Sequence, residues 1–417
     1  MNKKNYRALF FSLCVMLSIC CSCREDVDDV PLYRQSDGDI SDFVMSNNSF
    51  AEQFKAIWTI LDCNYLIWDY EAKFGVDWNE IYAKYLPVFK EIDAAYAIDE
   101  RNKISTDSLK RIYEEFLLPL HDGHLNITID NLHNGDSIKI KPSYSRNVQR
   151  EDYYDEVPSI EFSIDNDELA AYNAYNWDLF APKSIVYCCF KDNIVYLRLS
   201  HCVLAENLTS KNEGVEIVWK AWFDKIQSLC RESKLKGVIF DMRDNNGGSS
   251  ADYKFLLGAI QKTNCNREGY RALGKGRLKK GVGKYDYTAE YEAYFFIYPE
   301  EHAVIEDEPV VVLANCKTKS MAEMICLGAK QMTNGCVIGM RTWGGINGFT
   351  GLIDNTMFGD KKYGSFDIYM PILTRFTDEG ECIEGFGVKP DIEVRQTNEE
   401  GHDAQLERAL EYIRTGK

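Results

Sequence analysis

The chain has 417 residues, 45% of them apolar and 13% aromatic, enough for a sizeable core and more than one structural unit. Its formal net charge of −17 sets it against a phosphate backbone and excludes nucleic acid as a partner. The cations Lys3, Lys4 and Arg7 instead precede an apolar stretch, Ala8 to Cys21, too short to span a bilayer comfortably.

That start reads as a targeting segment. Ser22-Cys23 closes it in the manner of a bacterial lipoprotein cleavage site, with Cys23 as the lipidated residue, residues 1–22 as the signal peptide and residues 23–45 as an acidic, flexible tether. The expected location is the cell envelope, with a lipid anchor in the membrane. An acidic stretch directly after the cysteine resembles signals that send lipoproteins to the outer face of the outer membrane. Ten of the 14 cysteines lie beyond this segment, with no C-x-x-C pair among them, so zinc-knuckle and thioredoxin chemistry are not suggested. They read as buried free thiols, and disulfides in an exported protein stay possible.

Residues 46–130 read as a small helical domain. Phe50, Phe54, Ile57, Trp58, Leu61, Tyr65 and Trp68 recur at helical spacing. Asp77 caps a second helix, which Pro87 should kink or end, and a third starts near Asp107. Leu120-His121-Asp122-Gly123-His124 follows, holding two of only six histidines. The His-Asp-Gly-His order is short metal spacing without a completing cluster, so each histidine is either a buried structural one or a proton carrier. Residues 131–190 are polar, with few regular periods, and read as an irregular or β-containing insert.

From residue 191 to 400 strands and helices alternate. Ile194 to Leu199 is a strand, Glu213 to Ser233 a helix, and Leu235 to Phe240 a buried strand running into Asp241-Met242-Arg243-Asp244-Asn245-Asn246-Gly247-Gly248. No Gly-Lys-Ser/Thr pattern is present, so this turn is not a Walker loop; Gly247 and Gly248 either make a tight turn or bring a backbone N–H to a reacting carbonyl. Val310 to Ala314 has the β-branching of a strand buried on both faces, and Ser320 opens the helix after it. Ser320 is therefore either an N-cap, with Glu323 completing a capping box, or a nucleophile beside unpaired helix N–H groups. Strands at Phe366 to Met370 and Leu373 to Phe376 and a closing helix within residues 401–417 complete an α/β fold with a largely parallel sheet.

Asp241-Met242-Arg243 with Asn246-Gly247-Gly248, Ser320-Met321-Ala322-Glu323, Thr342-Trp343-Gly344-Gly345 and Gly387-Val388-Lys389-Pro390-Asp391, in this order, resemble the S41 peptidases, the tail-specific or C-terminal processing proteases. The resemblance implies a ClpP/crotonase-like core, a peptide or protein substrate and no cofactor or metal. It makes Ser320 the nucleophile, with Gly247 or Gly248 and Met321 supplying the oxyanion N–H groups. Many members carry a general-base lysine downstream of the serine, where this chain has Gly345. The tricorn-like branch uses a histidine after the N-terminal helices and a supporting glutamate, positions that His124 and Glu384 match. Its serine before the histidine is Gly123 here, so His121 or Asp122 would have to contribute to a rebuilt relay. Lys319, next to Ser320, is expected to point away from the hydroxyl. The implied function is a lipid-anchored serine endopeptidase acting on extended or C-terminal segments. The alternative is a catalytically silent relative that binds peptide termini or serves as an envelope scaffold.

Overall fold

The structure, a computed structural model, describes residues 48–151, 169–177, 181–260, 307–347, 365–371, 373–377, 380–396 and 402–417, with short pieces between 270 and 305. The expected leader, the tether and Cys23 lie outside the described residues.

Three helices make the first layer. In α1 (Phe50–Asn64), α2 (Trp78–Ile98) and α3 (Thr106–Leu117) the caps are Ser49, Asp77 and Ser105, each side chain accepting from first-turn amides. Their aromatic stripes meet: Phe54 stacks on Phe89 at 4.8 Å and meets Phe116 edge-on at 5.6 Å. Pro87 does not end α2, which runs on to Ile98. The proline forfeits one backbone bond, but Phe89 beyond it is fully buried and holds the helix in register. Under the helices β1 (Asn126–Asp130) pairs antiparallel with β2 (Ser137–Ile140) and with the distant strand Phe366–Tyr369. Ile127, Ile129, Ile138, Ile140, Phe366 and Ile368 supply its buried face. Residues 366–369, read with the α/β core, thus close the N-terminal layer, because their apolar positions find β1 rather than the main sheet.

The main sheet has seven strands: β3 (Leu169–Trp177), β4 (Ala181–Lys191), β5 (Ile194–Leu199), β6 (Gly237–Asp241), β7 (Val310–Ala314), β8 (Gly335–Gly339) and β9 (Ile392–Glu393), in the spatial order β9-β8-β7-β6-β5-β4-β3. Neighbours from β5 to β9 are parallel, and β3 and β4 add an antiparallel edge. Part of the insert is thus β structure and belongs to the main sheet. The reason is local: Asp192 and Asn193 both take positive φ, 54° and 65°, the conformation of a two-residue hairpin turn that folds β4 back on β5.

Along β7, Val310, Val312 and Ala314 face α4 (Glu213–Arg231), α5 (Ser250–Ile260) and α6 (Met321–Gln331), with Trp222, Leu256 and Ile325 in the same core. Val311 and Leu313 face the other way, onto Leu406, Ala409 and Ile413 of α7 (Ala404–Thr415). A strand sealed on both faces is the expected one. Seven of the described cysteines (188, 189, 202, 316, 326, 336 and 382) are buried, as small hydrophobes. Among the described residues no helix is long and apolar enough to cross a membrane.

Candidate active site

Parallel strands release their chains at one edge, and the loops after β6, β7 and β8 converge there. The loop after β7 reaches Ser320, whose φ of 56° and ψ of −121° are strained for a residue with a side chain. A serine on a sharp strand-to-helix turn is the local geometry of a nucleophile elbow, reached here without flanking G-x-S-x-G glycines. The Ser320 amide donates to Glu323 Oε2 at 3.0 Å, the reciprocal half of a capping box. Beside it lies Gly247 at φ 86°, where an added Cβ would stand 2.6 Å from Ser320 Cβ and 2.9 Å from the Met321 amide nitrogen. Only glycine allows that approach.

The two candidate glycines separate. The Gly247 N–H is taken by Asn245 Oδ1 at 2.8 Å, and the Gly247 carbonyl accepts from Cys202. Gly248 is exposed, and in its bridge to Cys202 the bonds are made by the flanking groups, the Gly247 carbonyl and the Ser249 amide. With the Gly247 N–H taken, the candidate oxyanion donors left are the Gly248 N–H and the first amide of α6, Met321. The loops are tied by a bond from the Lys319 amide to the Asn245 carbonyl at 2.8 Å.

His124 arrives from the opposite layer and is buried. Asp122 Oδ1 accepts from the His124 and Leu125 amides at 2.7 and 2.9 Å, fixing the turn. Glu384 accepts from the Gly123 amide on Oε1, and on Oε2 from Ile346 and Asn347 at 2.8 and 2.6 Å. It therefore clamps the His124 turn to the loop after β8. Asp122, His124 and Glu384 present ligand atoms within 4.8 Å of one another. A metal ion would accept that spacing, but three of the four carboxylate oxygens already accept backbone N–H groups, and a lysine stands near. The Asp122 Oδ2 atom is buried and has no hydrogen-bond partner among the described residues. Burial pushes the Asp122 carboxyl up to about 6, against the pull of the His124 and Leu125 amides. Burial, then Asp122, raises Glu384 well above the usual range. Two carboxyls this close resist ionising together.

His121 is occupied elsewhere. Its amide and its Nδ1 bond to the buried Glu71 at 2.6 and 2.7 Å, and Glu71 is held by Tyr65. It supports the turn from behind, while Asp122 is the neighbour that reaches the cluster.

Lys319, which the sequence analysis names only as pointing away from the Ser320 hydroxyl, lies beside the candidate base. A Cβ at Gly345 would meet Lys319 Cε at 3.0 Å and His124 Cε1 at 3.4 Å, so the lysine stem turns inward beside the imidazole. Burial lowers its pKa, opposed by Glu384, Glu323 and Asp122. Its nitrogen lies 5.2 Å from the Trp343 ring centroid. Gly123 is locked in the same contact: a Cβ there would fall 2.2 Å from the Gly344 carbonyl oxygen and 2.4 Å from Gly345 Cα.

The profile of Peptidase family S41 matches residues 193–394. Over those residues the chain's α/β core is similar to the S41 peptidases. It is 32% identical over 195 residues to tricorn protease homolog 1 of Streptomyces coelicolor, covering 45% of this chain and 15% of that one. Against the tricorn protease of Thermoplasma volcanium it is 26% identical over 188 residues, 44% of this chain and 15% of the relative. The chain thus spans well under a quarter of these relatives' length. A crystal structure described as that of a candidate peptidase from Parabacteroides merdae superposes with a TM-score of 0.59 at 20% identity, over 88% of this chain and 98% of that one, a likeness of fold. In the S41 core the serine motif lies at the β7–α6 turn and the Gly-Gly motif beside it. The Asp-Met-Arg motif lies behind them: Arg243, fully buried, bonds Asp241 at 2.7 Å and Asp403 at 2.8 Å, so it anchors α7 rather than the chemistry. The family's serine and lysine positions, Gly123 and Gly345, pack on each other, and neither has room for a side chain without displacing its surroundings.

Proposed function

We propose that this chain is a serine endopeptidase of the cell envelope, acting on extended or C-terminal protein segments and held to a membrane by lipid on Cys23. Ser320 Oγ attacks the substrate carbonyl carbon while His124 accepts the hydroxyl proton. The Gly248 and Met321 amides take the charge that develops on the carbonyl oxygen. The C–N bond then breaks, His124 gives its proton to the leaving amine, and water releases the acyl-enzyme by the same route in reverse. The Asp122–Glu384 pair, which carries one negative charge more readily than two, favours the transient imidazolium.

The observation that carries this reading is the strained turn at Ser320, packed against Gly247 and the first amide of α6. Strain of this kind costs about 1–3 kcal/mol and persists where the surroundings enforce it. A fluorophosphonate probe should label the wild-type chain at Ser320 and leave Ser320→Ala unlabelled. Absence of labelling in folded wild type would favour the silent, peptide-binding alternative. The anchor is tested separately: Cys23→Ala should move the protein to the soluble fraction, and a variant processed normally and still membrane-bound would refute it.

One observation favours a second proton acceptor. Lys319 lies inward beside His124, with its pKa lowered by burial. The two acceptors differ in their pH profiles and in which single variant abolishes turnover.

A further inference from the structure

A cavity of about 400 Å³ opens between the two layers, against the His124 turn and the Lys319 side chain. Its lining includes Lys141, Lys317, Lys319, Asn126, Ser143 and Trp343. Two of these are fastened to the site itself: Asn126 Nδ2 donates to the His124 carbonyl at 2.7 Å, and Ser143 Oγ to the Gly123 carbonyl at 3.0 Å. The cavity is therefore built with the candidate active site and shares its walls.

Its charge is unexpected in a chain of net −17. Three lysines, Lys141, Lys317 and Lys319, line it with one acidic residue, Asp244. That carboxylate is already engaged, with Arg198 at 3.6 Å and Asn315 Nδ2 at 3.1 Å. Burial and then Lys139 lower the Lys141 pKa, with no acid among the causes. Lys319 has buried acids behind it and the cavity ahead. Lysines grouped around one cavity favour an anion that can accept from several of them at once. A peptide bound to this site offers one kind of anion.

We infer that the cavity is a specificity pocket for a carboxylate of the substrate close to the scissile bond, held by Lys141 and Lys317 with Lys319 at its inner wall. An aspartate or glutamate side chain and a chain's terminal carboxylate share that chemistry. The inference rests on the proposed peptidase reading for its place in the reaction, but binding tests it independently.

The test uses the full chain with Ser320→Ala and fluorescent peptides followed by anisotropy. One arm compares glutamate with glutamine at each position of an end-blocked peptide. The other compares a free with an amidated C-terminus in a peptide without acidic side chains. In one arm or the other the carboxylate form should bind at least about tenfold more tightly, as hydrogen bonds to charged groups allow. The arm that responds names the source. The advantage should shrink as salt rises and approach unity in Lys141→Gln/Lys317→Gln, while Lys141→Arg/Lys317→Arg keeps it. No carboxylate advantage in either arm, or one that survives the glutamine double variant, would overturn the pocket assignment. If the advantage is present and the wild-type chain cleaves none of the peptides, the peptidase reading falls and the carboxylate pocket stands.

Discussion

At the scale of single residues, the two departures from the S41 pattern are one packing arrangement. Gly123 touches the Gly344–Gly345 backbone, and the volume a side chain at Gly345 would fill is occupied by Lys319 and His124. The consequences differ because the obstacles differ. At Gly123 the obstacle is backbone, so Gly123→Ala should lose about 1–3 kcal/mol or more and most activity together. At Gly345 the obstacles are side chains that can shift, so Gly345→Ala should keep most of its thermal stability while turnover falls as the imidazole is displaced. Paired melting curves and peptide hydrolysis check the contrast; equal stability losses would argue against it. The pH dependence belongs at this scale too. A protonated imidazole cannot accept a proton, its ordinary value is about 6.5, and the Asp122 carboxyl is ionised only above about 6. Both effects have the same sign, so kcat/KM should fall as pH drops from 7.5 to 5.5. A profile that instead rises steadily toward pH 10 would point to Lys319.

At the scale of elements, buried ionic ties hold the layers in place. Arg243 joins the end of β6 to Asp403, which also caps α7 by accepting from Leu406 at 3.0 Å. Burial alone would raise the Asp241 carboxyl, but Arg243 and Arg198 outweigh it and bring it down to about 2. Arg243→Ala leaves the buried Asp403 without its cation and Asp241 with Arg198 alone, and should cost about 3–5 kcal/mol in urea unfolding, with α7 released first. Asp252 makes the converse case. It accepts from the Leu204 and Ala205 amides at 2.8 and 2.7 Å, yet burial raises its carboxyl to about 7. The native state then binds the proton more tightly than the unfolded chain, so this group's stabilisation is present at low pH and lost as pH rises through about 7. Asp252→Asn should flatten that part of the pH–stability curve; an unchanged slope would contradict it. Elements of this kind were legible where period and cap agreed, as in α1 and β7. They were missed where a long-range partner decided: nothing near Phe366 announces β1, and the β4–β5 hairpin that Asp192-Asn193 closes is seen only in the structure. Ser320, His124, Glu384 and the Gly-Gly turn came from motif order. Lys319 and the free Oδ2 of Asp122 could not, because their importance comes from contacts between chain segments far apart in sequence.

At the scale of the molecule, the candidate site is a junction. The α/β layer contributes Ser320, Gly248 and Met321, the helical layer contributes His124 and Asp122, and Glu384 and Glu323 bind the connecting loops between them. Anything that separates the layers should therefore abolish the chemistry before it unfolds either core, and the carboxylate pocket lies along the same seam. The central claim, that Ser320 is activated across this seam by His124, is tested most directly by peptide hydrolysis in a His124→Ala variant with the wild-type circular dichroism spectrum. The account predicts a loss of at least about a thousandfold in kcat, with little further loss when Ser320→Ala is added, because the two act as a unit. Hydrolysis by folded His124→Ala at close to the wild-type rate would contradict it.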